Sequence, residues 1–152
     1  IYPFRTGHLQ DAPHARGRIV NLPLPPRSGD ASFSMVADQV LSPLVEKIKP
    51  EMIFVSAGFD SHWDDPLAEL GISSAGYYAY ARRLVDMAQA YCQGRIVFVL
   101  EGGYNPINIA SGVEAVFCAT AGHPFQAVDP SPYPEPDIQD RIDALRVLHQ
   151  IN

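Results

Sequence analysis

Two short segments hold the side chains best placed for chemistry: Ser56-Ala57-Gly58-Phe59-Asp60 and Leu100-Glu101-Gly102-Gly103-Tyr104-Asn105. Each follows an apolar run that reads as a strand, so a carboxylate (Asp60) and a phenol (Tyr104) stand at strand carboxyl ends. In open parallel sheets that end is where ligands bind. Brought together there, the two groups suit metal-assisted attack on a carbonyl. The carboxylate holds the metal, and the phenol donates a hydrogen bond to the oxyanion.

A lone Asp after a strand is more often a helix cap or a loop carboxylate. Three features favour a functional role for Asp60. Gly58 lets the backbone approach a ligand closely. Asp64 and Asp65 share the same loop, and Asp65-Pro66 is a rigid turn dipeptide. Apart from these three, Asp60-Ser61-His62 places an imidazole two residues from the carboxylate, where both can face one site in extended backbone. One His beside one Asp is a weak metal signal, so His62, like Asp65, is read first as a group supporting the loop. Tyr104 follows Gly102-Gly103, which leaves the backbone bare and the ring free to project. The same Gly-Gly turn before a Pro-started helix could cradle a phosphate. The full G-x-G-x-x-G fingerprint is absent, however, so a nucleotide site is the weaker alternative. Phe59 and Trp63 line an apolar channel or belong to the core. Tyr77, Tyr78 and Tyr80 recur at helical spacing and read as core.

The elements that must position these groups follow from the pattern. Arg18–Leu24 is β-branched and apolar and predicts a strand, with Pro23 moving its end toward an edge. Helical spacing runs from Phe33 to Ile48, capped by Asp30 or Ser32, with a kink expected at Pro43. Met52–Ser56 and Ile96–Leu100 are continuous apolar runs, as expected of central strands buried on both faces. Ser73 or Ser74 caps a helix to about Tyr91, stopped by Gly94. Pro106 opens a helix ended by Gly122. Residues 124–136 are proline-dense and extended, and 138–151 return to helical spacing. Strands alternating with helices predict an α/β fold: a three-layer parallel sheet with flanking helices, in one domain over residues 1–152.

Composition narrows the function classes. Of 152 residues, 47% are hydrophobic and 18% charged, which is ordinary for a globular chain. The net charge of −6 and the lack of a Lys/Arg cluster argue against direct nucleic-acid binding. No apolar run reaches the roughly 20 residues needed to span a membrane, and no secretory signal is visible. Cys92 and Cys118 lack C-x-x-C spacing and read as free thiols in a reducing compartment, the cytoplasm.

Val55-Ser56-Ala57-Gly58-Phe59-Asp60, Asp65-Pro66-Leu67 and Leu100-Glu101-Gly102-Gly103-Tyr104-Asn105, in this order, resemble the histone deacetylase superfamily. The bacterial class II-like deacetylases and acetylpolyamine amidohydrolases look most similar. Asn21-Leu22-Pro23-Leu24-Pro25, Ser28-Gly29-Asp30 and the loop near Thr6-Gly7 add to the likeness, which covers roughly residues 1–122.

The resemblance implies an arginase-like α/β fold and zinc-dependent hydrolysis of acetyl-lysine or acetylpolyamine amides. It implies Asp60 as a zinc ligand and Tyr104 as the tyrosine that hydrogen-bonds the scissile carbonyl. Leu67, Gly102, Gly103 and Phe59 fall along the substrate channel, and Tyr2 or Phe4 on its wall. The family's Asp-x-His zinc pair and tandem histidines have no counterpart here. The chain therefore looks like the C-terminal half of a deacetylase catalytic domain, inactive alone. The competing expectation is a non-catalytic module that folds and self-associates or binds partners.

Overall fold

The computed structural model describes residues 7–9, 18–127 and 129–151. Its centre is a pair of parallel strands, β1 (Ile53–Ala57) and β2 (Ile96–Leu100), in register from Ile53 opposite Ile96 to Ala57 opposite Leu100. In-register pairing puts the two strand ends, and the loops that leave them, side by side. The crossover is helix α3 (Ser74–Cys92). Ser73 caps it, its hydroxyl accepting from the Gly76 N–H, and Gln93 and Gly94 end it with positive φ. Helix α4 (Pro106–Ala121) follows β2, with Asn105 as cap, Pro106 in the first turn and Gly122 at φ 71°. These elements match the expected parallel α/β arrangement.

Three expectations need correction. Residues 18–24 form no strand. Pro23 removes one backbone donor within the segment and Pro25-Pro26 two more just past its end, and no strand among the described residues pairs with it. Val20, Leu22 and Leu24 instead pack on Val40, Ile138, Ile142 and Leu145.

The two strands are not buried on both faces among the described residues. Ile53, Val55, Ile96 and Phe98 pack against Leu84 and Met87 of α3. Phe54, Val97 and Val99 alternate with them and stay exposed, Phe54 at 69%. A continuous apolar run records that both faces want cover, not what provides it.

The cap of the first helix is also not local. Helix α1 (Asp30–Val36) begins without a side-chain cap from Asp30 or Ser32. The Glu135 carboxylate, 106 residues beyond Gly29, accepts from the N–H groups of Gly29, Ala31 and Ser32 and from the Ser32 hydroxyl, at 2.7–2.9 Å.

The expected disturbance at Pro43 takes a specific form. Helix α1 runs through a π-turn (Ala37–Leu41) into α2 (Ser42–Ile48), and the Ser42 N–H reaches back to the Ala37 carbonyl. The wide turn accommodates a proline that cannot donate and whose ring would meet the carbonyl four residues earlier. Helix α5 (Gln139–His149) buries Ile142 and Leu145 against Val40 and Ile138.

Glu135 gives a pH prediction. Burial works against its charge, but the donors on Ala31, Ser32 and Gly29 outweigh it and hold the carboxyl below its ordinary value of 4.5. A depressed folded value stabilises the fold fully above about pH 4.5, and that stability is lost as pH falls through the folded value. Glu135→Ala is expected to cost about 2 kcal/mol at pH 7 and to flatten the loss of melting temperature between pH 5 and 3. An unchanged slope in thermal melts would refute this role.

Candidate active site

The strand ladder continues past the two strand ends. The Glu101 N–H donates to the Ala57 carbonyl (3.1 Å) and the Phe59 N–H to the Gly102 carbonyl (2.7 Å). These bonds carry Asp60 against the Gly102 backbone. A β-carbon placed on Gly102 would lie 2.6 Å from the Asp60 Oδ2, and one on Gly58 2.9 Å from its Oδ1. The carboxylate thus fills the space that two missing side chains leave. Among the described residues it accepts no hydrogen bond.

Tyr104 stands two residues beyond Gly102. Its backbone N–H donates to the Asp65 Oδ2 at 2.9 Å. The other oxygen of Asp65 accepts from Leu67 and Ala68, at 2.9 and 3.3 Å. Asp65 is buried, so its carboxylate ties the Asp60 loop to the Tyr104 loop. Asn105 and Asn108 strengthen the tie by donating to the Asp64 carbonyl, at 3.3 and 3.0 Å. The Tyr104 ring is 54% exposed, and its hydroxyl has no partner among the described residues. Leu67 is exposed on the rim. Gly103 adopts φ 140°, with Ile109 and Phe59 crowding any β-carbon there, so only glycine fits.

Other sequence candidates have different places. Phe59 lies in the core, packed edge-on to Tyr77 with ring centroids 5.1 Å apart. The phenol of Tyr77 is no rival to Tyr104. It bonds to Ser61 at 2.9 Å, and burial pushes it well above the usual phenol range. His62 is not a ligand to Asp60's site. Its Nδ1 accepts the Asp64 N–H (3.1 Å) and its Nε2 bonds the Asp129 Oδ2 (2.8 Å), so neither nitrogen is free. Tyr2 and Phe4 lie outside the described residues. An apolar cavity of about 440 Å³ opens beside β1, lined by Phe33, Val55, Tyr80 and Phe98, but neither Asp60 nor Tyr104 lines it. The candidate site is instead the open surface at the strand ends.

Sequence reasoning missed Asn108, Asp129 and Glu135. Asn108 sits in the first turn of a helix whose start at Pro106 was legible, so its spacing from Pro106 was available as a signal. Asp129 and Glu135 lie in a proline-dense stretch with nothing local to mark them.

Asp60 is an unpartnered carboxylate in a cradle shaped by two glycines, as one ligand position requires. Among the described residues no three His, Cys, Asp or Glu side chains could jointly hold an ion. The described residues therefore offer Asp60 as one candidate ligand position and not a complete site.

The histone deacetylase domain family matches residues 1–120. The chain belongs to the histone deacetylase family. This deacetylase-family chain is 40% identical over 144 residues to histone deacetylase 10, chloroplastic, of Oryza sativa subsp. japonica, covering 91% of this chain and 32% of the relative. It is 43% identical over 107 residues to a probable deacetylase of Archaeoglobus fulgidus, covering 69% and 30%. Among solved structures it superposes on the HD domain of HDA15 with a TM-score of 0.80 at 25% identity, covering 98% of this chain and 39% of that one. The histone deacetylase Clr3 gives a TM-score of 0.76 at 25% identity, covering 90% and 22%. The fold is thus that of the deacetylases, and the chain spans about a third of the length of the first two relatives.

Proposed function

We propose that this chain is the C-terminal portion of a zinc-dependent deacetylase domain that hydrolyses acetylated amines, acetyl-lysine or acetylpolyamine. The observation that carries this reading is the unpartnered Asp60 carboxylate pressed against Gly102, one strand end from Tyr104. Asp60 is one zinc ligand, and the others come from the remainder of the domain. Zinc bound there would polarise the amide carbonyl and acidify a water. The chain's own residues do the rest. The Tyr104 hydroxyl, without a partner among the described residues, donates a hydrogen bond to the carbonyl oxygen as it gains charge. Asp65 holds the Tyr104 backbone and so fixes where the ring leaves the chain. Gly102 and Gly103 leave room for the acyl-amine chain, and Leu67 gives it an apolar rim.

The isolated chain is expected to bind no stoichiometric zinc and to turn over neither an acetyl-lysine peptide nor an acetylpolyamine. Metal analysis and a deacetylation assay check this. One zinc per chain with turnover would overturn the fragment reading.

The exposed sheet face favours a second reading. Phe54, Val97 and Val99 form an apolar surface that the rest of a deacetylase domain would cover. In the isolated chain a second copy would cover it, giving a non-catalytic homo-oligomer, which sedimentation would detect. Among the described residues no helix is long and apolar enough to cross a membrane. Cys92 and Cys118 are free, which fits a reducing compartment such as the cytoplasm.

A further inference from the structure

We propose that residues 129–136 act as a strap that sets the shape of the Asp60 loop, with Asp129 as the positioning residue. The importance of that loop rests on the reading of Asp60 above, but the physical claim does not. Asp60 is the second residue of a turn closed by the His62 N–H on the Phe59 carbonyl. The shape of this turn decides where the Asp60 carboxylate points. Its closing residue, His62, is 1% exposed and is held from outside the loop. The Asp129 Oδ2 takes the His62 Nε2 at 2.8 Å and the Ser74 N–H at 3.2 Å. The Asp129 Oδ1 accepts from the Ser74 hydroxyl. The Asp129 backbone carbonyl accepts from the Trp63 Nε1 at 2.9 Å. One residue of the strap thus grips two successive side chains of the loop and the first residue of α3.

The hydrogen-bond pattern assigns the tautomer. Nδ1 of His62 accepts from the Asp64 N–H, so in the neutral ring the proton sits on Nε2 and is donated to Asp129. The loop's own backbone closes through Trp63 N–H to the Ile72 carbonyl (3.0 Å) and Ile72 N–H to the Ser61 carbonyl (3.1 Å). Asp129 therefore locks one side of a loop whose other side is locked by backbone. The strap's second anchor, Glu135, holds α1 and touches nothing in this loop.

These relations predict a local effect. In Asp129→Ala the amide protons of His62, Trp63, Asp64 and Ile72 should exchange with deuterium roughly tenfold faster or more. The protected amides of β1 and of α4 should be unchanged. The His62 ring should lose its Nε2–H signature in ¹⁵N spectra and show a mixture of tautomers. Asp129→Asn keeps an oxygen for His62 and Ser74 N–H and presents an amide to the Ser74 hydroxyl, so it should restore both readouts. Glu135→Ala should leave them as in the unmodified chain. The strap role is overturned if Asp129→Ala exchanges like the unmodified chain, or if all amides loosen together. It is also overturned if Asp129→Asn behaves as Asp129→Ala does. No metal or substrate enters these measurements. Their failure leaves the role of Asp60 standing, and an inactive assembled domain would remove that role without touching the strap.

Discussion

Tyr104→Phe in the complete deacetylase domain is expected to lower turnover about a hundredfold or more while leaving KM nearly unchanged. The change removes one hydroxyl that has no partner among the described residues and sits on a half-exposed ring. Nothing in the fold depends on it, so the melting temperature should hold. The loss falls on the transition state alone, because the carbonyl oxygen gains charge only there. Removing one such donor typically costs about 2.7–4 kcal/mol. Turnover within a few-fold of the unmodified protein would exclude Tyr104 from the reaction.

Gly102→Ala should be comparably damaging for a different reason. The added methyl would lie 2.6 Å from the Asp60 Oδ2 and 2.9 Å from its Cγ. Carbon and oxygen do not approach so closely, so the carboxylate or the strand end must move. No positive φ is recorded at Gly102, so alanine brings no backbone strain of its own. A misplacement of about 1 Å at a reacting centre can cost about a hundredfold in rate. The expected result is a fold that melts normally, weakened zinc retention in a chelator competition, and activity reduced by about two orders of magnitude. Full activity would mean that Asp60 does not need the space beside Gly102.

The two variants separate two kinds of contribution. Tyr104→Phe deletes a donor and leaves the metal position intact. Gly102→Ala leaves every functional group present and spoils one position. Zinc retention should distinguish them, since only the second disturbs Asp60.

Much of the local structure was legible from residue types. The bounds of β2 and of α4 follow from an apolar run, a Pro in the first turn and a Gly at the end. The cap of α3 was readable as Ser73 or Ser74, and Ser73 takes it. These features are local, and their energetics are settled within a few residues of backbone. The strand predicted at 18–24 failed because β-branched residues favour extended backbone, whereas a strand also needs a partner and donors. The segment has no such partner among the described residues, and Pro23 removes one of its donors.

For the candidate site, the sequence alone determined which residue types stand at the two strand ends, and by motif that Asp60 and Tyr104 are the ones to watch. Tertiary structure alone decided what surrounds them. It placed the Asp60 carboxylate against Gly102, gave Asp65 to the backbone of Tyr104, and closed both nitrogens of His62 with Asp64 and Asp129. It also brought Asp129 and Glu135 to helix ends 55 and 106 residues away. The physical reason is range. Propensities and caps are decided by neighbours in the chain, so they can be read in order. A carboxylate's partner is decided by whichever donors the packed core leaves beside it, and no spacing along the chain records that.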